Sequence, residues 1–169
     1  MNMIISPTSP ATAPPGPRLG ARQLDNVVRR VAASPAEWLT RVRLNATGRW
    51  YERIHVDDSH EVWVISWLPG QATGFHDHGG SAGAFAVVWG TLTERRIAGG
   101  ALTGRVLAKP VAAGGARAFG PRYIHDVHNA ASAVAVSVHA YSPPLPRMTR
   151  YELTPAGLVR QETVGAAAW

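Results

Sequence analysis

His76-Asp77-His78 is the stretch whose residue types could do chemistry most directly. Side chains two apart on a β-strand point to the same face, so His76 and His78 present two imidazoles together while Asp77 faces away. Two imidazoles on one face are half of a transition-metal site. A second dense stretch is Ser137-Val-His139-Ala-Tyr141. Its hydroxyl, imidazole and phenol alternate with Val138 and Ala140, so all three share a face that should be the interior. Burying three polar groups together is costly unless they bond one another. A Ser137–His139–Tyr141 relay meets that need and would hold the phenol where it can donate a hydrogen bond or proton. A third candidate is Tyr51-Glu-Arg53, where Tyr51 and Arg53 share a face and the guanidinium is a natural carboxylate clamp.

The elements that must position these groups follow from periodicity. Residues 1–19 are rich in Pro, Ala, Ser and Thr, lack the pattern of a secretion signal, and are expected to form a disordered tail. Leu24, Val27, Val28 and Val31 have the spacing of an amphipathic helix over Arg22–Ala33. Ser34-Pro35-Ala36-Glu37 carries the signature of a helix start, predicting a second helix through about Arg43 with Trp38, Leu39 and Val42 inward. From Arg49 onward short β-rich runs alternate with turn residues. Strands are predicted at Trp50–Val56, Glu61–Leu68, Ala84–Trp89, Thr91–Ile97, Gly104–Lys109, Tyr123–Asn129, Ala133–Tyr141 and Thr149–Leu153. The expected fold is mainly β: N-terminal helices over about 22–44, then a small antiparallel barrel over about 49–155, in one domain spanning 20–169.

Composition narrows the chemistry. There are no cysteines, so disulfides, thiolate ligands and a Cys nucleophile are excluded, and any metal must be held by His or carboxylate. The net charge is +6, but the cations are almost all arginine and are scattered along the chain, which does not favour a nucleic-acid partner. No run of 18 apolar residues suggests a membrane span. A cytoplasmic monomer is the expectation.

The spacing of Gly70, His76-x-His78, Gly83 and Gly90 resembles the first sequence motif of the cupins, small β-barrels of the jelly-roll type. Ala82 and Gly83 stand where most cupins carry a glutamate ligand. The candidates for a third ligand are His125, His128 and His139. His125-x-x-x-Asn129 matches the end of the second cupin motif and favours His125. Three neutral imidazoles would leave about three open positions on an octahedral ferrous ion, and a closed zinc site would need a fourth protein ligand that is not evident.

Together these blocks resemble the cysteine dioxygenase family of thiol dioxygenases. The resemblance covers about residues 48–147. It rests on His76-Asp77-His78-Gly-Gly-Ser81, on Ile124-His125-Asp-Val127-His-Asn129, on Ser137 to Pro144 as Ser-x-His-x-Tyr-Ser-Pro-Pro, on Tyr51-Glu-Arg53, and on Trp67 nine residues before His76. It implies a mononuclear non-haem Fe(II) enzyme that adds both atoms of O2 to a thiol sulfur, with L-cysteine as substrate and cysteine sulfinate as product. Iron would be held by His76, His78 and His125. Arg53 would bind the substrate carboxylate with Tyr51 nearby, and Tyr141 would act with His139 and Ser137 behind it. Gly83 replaces the cysteine that forms a thioether with the tyrosine in animal members, so Tyr141 is expected to be an unmodified phenol. Relatives oxidise 3-mercaptopropionate, which is the alternative substrate. A different metal-dependent cupin reaction is a second alternative. A sensor or binding module is a third, for which no DNA-binding helix pair is evident.

Overall fold

Leu24, Val28 and Val31 fix the position of the helix. All three are buried in the computed structural model, which describes residues 16–165. Most of the expected N-terminal tail lies outside the described residues. Helix α1 spans Ala21–Ala32, and Gln23 Oε1 accepts the Gly20 N–H at its start. Its apolar stripe packs on Val62, Val64, Ala84, Val138 and Ala140. Each large side chain so buried contributes roughly 1.5–3 kcal/mol.

The expected second helix does not form. Two short 3-10 turns, Pro35–Glu37 and Leu39–Arg41, replace it. Ser34 Oγ bonds back to the Arg30 carbonyl and does not cap the following turn. Trp38 then leaves helical geometry and turns its indole onto the Val31 carbonyl at 3.0 Å. Trp38 is buried as expected, but Leu39 is exposed.

Among the described residues eleven strands follow: β1 (Trp50–Val56), β2 (Glu61–Trp67), β3 (Phe75–His76), β4 (Ala82–Trp89), β5 (Thr91–Ile97), β6 (Val106–Ala112), β7 (Ala116–Phe119), β8 (Asp126–His128), β9 (Ala135–Ser142), β10 (Arg147–Thr154) and β11 (Gly157–Gly165). All eight predicted strands are present, β1 and β5 with the predicted ends and the other six with shifted ones; β3, β7 and β11 have no counterpart among them. The strands pair antiparallel, in sheets ordered β1-β2-β9-β4-β7, β11-β10-β3 and β6-β5-β8. Isolated bridges His76↔His125 and Ala72↔His128 join the two smaller sheets edge to edge. The result is a small antiparallel barrel, as expected.

Alternation in the central strands decides what reaches the interior. Every residue of β9 is buried, because α1 covers one face and the barrel interior covers the other. Val136, Val138 and Ala140 meet α1, which leaves Ser137, His139 and Tyr141 inside. The β4–β5 turn uses Gly90 at φ 72°, where a Cβ would lie 2.5 Å from the Val134 carbonyl. Among the described residues no helix is long and apolar enough to cross a membrane.

Candidate metal centre

His76 ends β3 and bridges antiparallel to His125, each backbone N–H bonding the other's carbonyl. His78 lies just beyond the strand. The three buried side chains place one ring nitrogen each within 4.8 Å of the others. Their ring centroids are 4.9 Å (His76–His78), 4.9 Å (His76–His125) and 5.1 Å (His78–His125) apart.

The other ring nitrogens select the tautomers. His76 Nδ1 donates to the Gly74 carbonyl at 2.9 Å, and His125 Nδ1 donates to Glu94 Oε1 at 2.9 Å. Each keeps Nε2 as a lone-pair donor. Neither nitrogen of His78 makes a well-formed hydrogen bond, although the side chain is fully buried; the Tyr123 carbonyl is a nearby acceptor at poorer geometry. A buried imidazole so poorly satisfied beside two oriented ones is accounted for by a shared ion. Burial pushes His76 down to about 4, and pushes His78 and His125 well below the usual histidine range; the neighbouring imidazoles add to this for His78 and His125. All three are therefore neutral at pH 7, as metal ligation requires. The residues present fit a divalent transition metal held by His76, His78 and His125.

Glu94 is a functional candidate that sequence reasoning missed. It is buried on β5, holds His125, accepts the Tyr123 hydroxyl at 3.2 Å and lies 3.5 Å from Arg117. Its signal was available: Leu92 and Glu94 share the inward period of β5, and a carboxylate on an inward face calls for a partner. Asp77 faces away from the centre as expected. It pins the loop by accepting from Gly79 N, Thr149 N and the Tyr151 hydroxyl.

His139 stands apart from the ligand cluster, in the relay. Trp67 Nε1 donates to Ser137 Oγ at 2.8 Å, and Ser137 Oγ lies 2.8 Å from His139 Nε2. Tyr141 Oη lies 3.3 Å from His139 Nδ1. The indole can only donate, so Ser137 Oγ accepts from Trp67 and keeps a proton that it can give to His139 Nε2. In that tautomer His139 Nδ1–H donates to Tyr141 Oη and the phenol proton points away from the relay. Burial, reinforced by the Glu61 carboxylate, raises the Tyr141 phenol above its usual range. Tyr141 is thus a protonated donor at neutral pH.

Gly83 faces the interior next to Tyr141. A Cβ there would run into the Phe119 ring and lie 3.0 Å from Tyr141 Cδ1. Phe119, another residue not singled out from sequence, fills this space and packs on His78 with centroids 4.6 Å apart. The crosslinking cysteine is absent, and so is the room for one.

A pocket opens on this centre, lined by His76, His125, His139, Tyr141, Tyr51 and Trp63, with Arg49 and Arg150 and, among the described residues, no carboxylate. Arg53 is not among the lining residues. It contacts Glu61 Oε2 at 3.2 Å and its guanidinium lies over the Trp63 ring, 5.4 Å from the centroid. Glu61 is buried and demands a counter-charge, and Trp63 is the cross-strand partner of Arg53. Arg49 shares the face of Tyr51 and Arg53 but lies four residues before Arg53, and its guanidinium rests over the Trp67 ring at 5.2 Å. His128 is partly exposed and outside the cluster. Asn129 is structural: its amide holds the Trp67 and Ala133 carbonyls.

Comparison with solved structures gives barrels of this kind. The protein TT1209 of Thermus thermophilus is 21% identical, with a TM-score of 0.54 over 63% of this chain and 94% of that one. A Klebsiella pneumoniae protein with a double-stranded β-helix domain is 18% identical, with a TM-score of 0.52 over 72% and 90%. An oxalate oxidase is 16% identical, with a TM-score of 0.55 over 65% and 59%. At these identities the likeness shows the cupin fold alone. No curated protein matches. The family model for cysteine dioxygenase type I matches residues 19–154, which takes in α1, both histidine blocks and the relay. The chain belongs to the cysteine dioxygenase type I family.

Proposed function

We propose that this chain is a mononuclear Fe(II) thiol dioxygenase that converts L-cysteine and O2 to cysteine sulfinate, acting as a cytoplasmic monomer. The observation that carries the reading is the cluster of three buried, neutral imidazoles, two of which, His76 and His125, line a pocket that holds two guanidinium groups and no carboxylate among the described residues. Three neutral ligands leave the full charge of the ion uncompensated, which favours a thiolate. The iron would supply the means for a thiolate and dioxygen to react. The balance needs no other reductant: sulfur loses four electrons and O2 gains four, both oxygens ending on sulfur.

The chain's own groups do the rest. Arg49, the more enclosed of the two pocket guanidiniums, takes the substrate carboxylate, with Arg150 nearer the mouth, where it also pairs with Glu162. Tyr51 flanks that position. Tyr141, held by His139 and Ser137, donates a hydrogen bond toward the reacting end of the substrate. Arg53 steadies Glu61 in this reading, which replaces its expected role as the clamp.

A second substrate is favoured by one feature. With no carboxylate among its described lining residues, the pocket offers an ammonium group no counter-charge, so 3-mercaptopropionate would fit as well as cysteine. The test is anaerobic Fe(II) loading of the apoprotein, then O2 uptake matched to sulfinate formation. L-cysteine, 3-mercaptopropionate and cysteamine are compared. Cysteamine, which has no carboxylate, should be the poorest. Absence of O2 uptake with all three would overturn the proposal.

A further inference from the structure

The turn between β1 and β2 carries a second group of metal-ligating side chains, on the outside of the barrel. His55, Asp57 and His60 place one ligand atom each within 4.8 Å of the others. His55 Nε2 lies 3.1 Å from Asp57 Oδ2, and His60 Nδ1 lies 3.2 Å from Asp57 Oδ1. The imidazole centroids are 4.7 Å apart. Ligands about 2.1 Å from a tetrahedral ion lie about 3.4 Å from one another, so the two nitrogens already flank the carboxylate at near-coordination spacing.

The carboxylate is also oriented in advance. Asp57 Oδ1 accepts from Ser59 N at 2.8 Å, Ser59 Oγ at 2.7 Å and His60 N at 2.9 Å. Oδ2 is left facing His55. Ser59 Oγ also lies 2.8 Å from His60 Nδ1, and can give its proton to Asp57 Oδ1 when that nitrogen takes a metal. The Ser59 hydroxyl and the other donors hold the Asp57 carboxyl well below the usual carboxylate range. Two imidazoles and one carboxylate suit Zn(II), Co(II), Ni(II) or Cu(II); Mg(II) and Ca(II) need more oxygen ligands. The adjoining groove holds Glu37, Arg30 and Arg41, the last paired with Glu52. These two guanidiniums make the site weaker than the buried one.

We propose that the β1–β2 turn binds a second divalent transition-metal ion through His55 Nε2, Asp57 Oδ2 and His60 Nδ1, with solvent completing the coordination. The turn is tied to the barrel where Ser142 Oγ donates to the Ser59 carbonyl and Leu145 N donates to Glu61. An ion there would brace the segment that presents Glu61 to Arg53.

The test is Zn(II) titration of untagged, metal-free full-length protein against a chromophoric chelator. Wild type is compared with a His55→Ala/His60→Ala variant and a His76→Ala/His78→Ala variant. Wild type should bind two equivalents. The turn variant should keep the tight equivalent and bind the weaker one about tenfold or more less well, while the pocket variant keeps the weaker one. Cu(II) broadening of amide resonances around 55–60 in the wild type, lost in the turn variant, gives a readout that does not depend on the pocket variant folding. A wild type that binds one equivalent, or a turn variant that binds both as wild type does, overturns the proposal. Neither result touches the dioxygenase reading, which rests on other residues.

Discussion

Arg49→Gln beside Arg53→Gln separates two guanidiniums that share one strand face. Arg49 lies in the pocket over Trp67, whereas Arg53 is tied to Glu61. A charge-assisted contact to a carboxylate contributes about 1.5–3 kcal/mol, so its loss corresponds to a roughly 10- to 150-fold fall in kcat/KM. Arg49→Gln should show that fall for L-cysteine and 3-mercaptopropionate, mostly in KM, and almost none for cysteamine. Arg53→Gln removes the counter-charge of a buried carboxylate. Arg53 is 45% exposed, so solvent screens the pair and the cost is at the low end, about 1 kcal/mol. That would appear as a fall in Tm of roughly 2–4 °C with KM changed less than about threefold. The assays are steady-state O2 uptake for the three thiols and thermal melts of the same preparations. If Arg53→Gln raises KM tenfold while Arg49→Gln leaves it alone, the assignment of the clamp is wrong.

Four further outcomes follow from the same geometry. Glu94→Gln keeps the shape beside His125 but removes the charge, and should weaken metal binding about 10-fold or more in a chelator competition; unchanged affinity would remove Glu94 from the centre. Tyr141→Phe should lower kcat by about 100-fold with little change in KM, measured as sulfinate formed; full kcat would deny the phenol a role. Gly83→Ala forces Phe119 to move and should cost about 1–3 kcal/mol in urea unfolding. Finally, metal-free protein should lose stability on acidification. Buried His76 stays neutral down to about 4, whereas the unfolded chain takes up a proton near 6.5, so acid favours unfolding across that window. His76 alone accounts for about 3 kcal/mol by pH 4, and His78, His125 and His139 act in the same direction. A Tm that stays flat from pH 7 to 5 would contradict this.

Much of the molecule was legible in the chain alone, for a local reason. Strand alternation needs only neighbours in the chain, so the shared face of Ser137, His139 and Tyr141 followed from their spacing, as did the inward stripe of Leu24, Val28 and Val31. The cupin barrel was legible in the turn-punctuated strands and the glycine framework. Local signals also misled. Ser34-Pro35 reads as a helix start, but the Trp38 indole prefers the Val31 carbonyl and the segment collapses into two short turns. The strands β7 and β11 lack a strong apolar alternation and owe their existence to pairing with β4 and β10.

What the sequence determined by itself is the set of chemical groups and the faces they share. Only tertiary structure decided which of them meet. Among His125, His128 and His139 the spacing favoured His125; the bridge between His76 and His125 brings it into the cluster, leaves His128 outside and commits His139 to the relay. Arg49, which was not singled out from the sequence, shares the face of Arg53 by alternation, but four residues along a strand are about 13 Å, enough to separate a guanidinium in the pocket from one at Glu61. Glu94 meets His125 across 31 residues of chain, a distance that no local period reports.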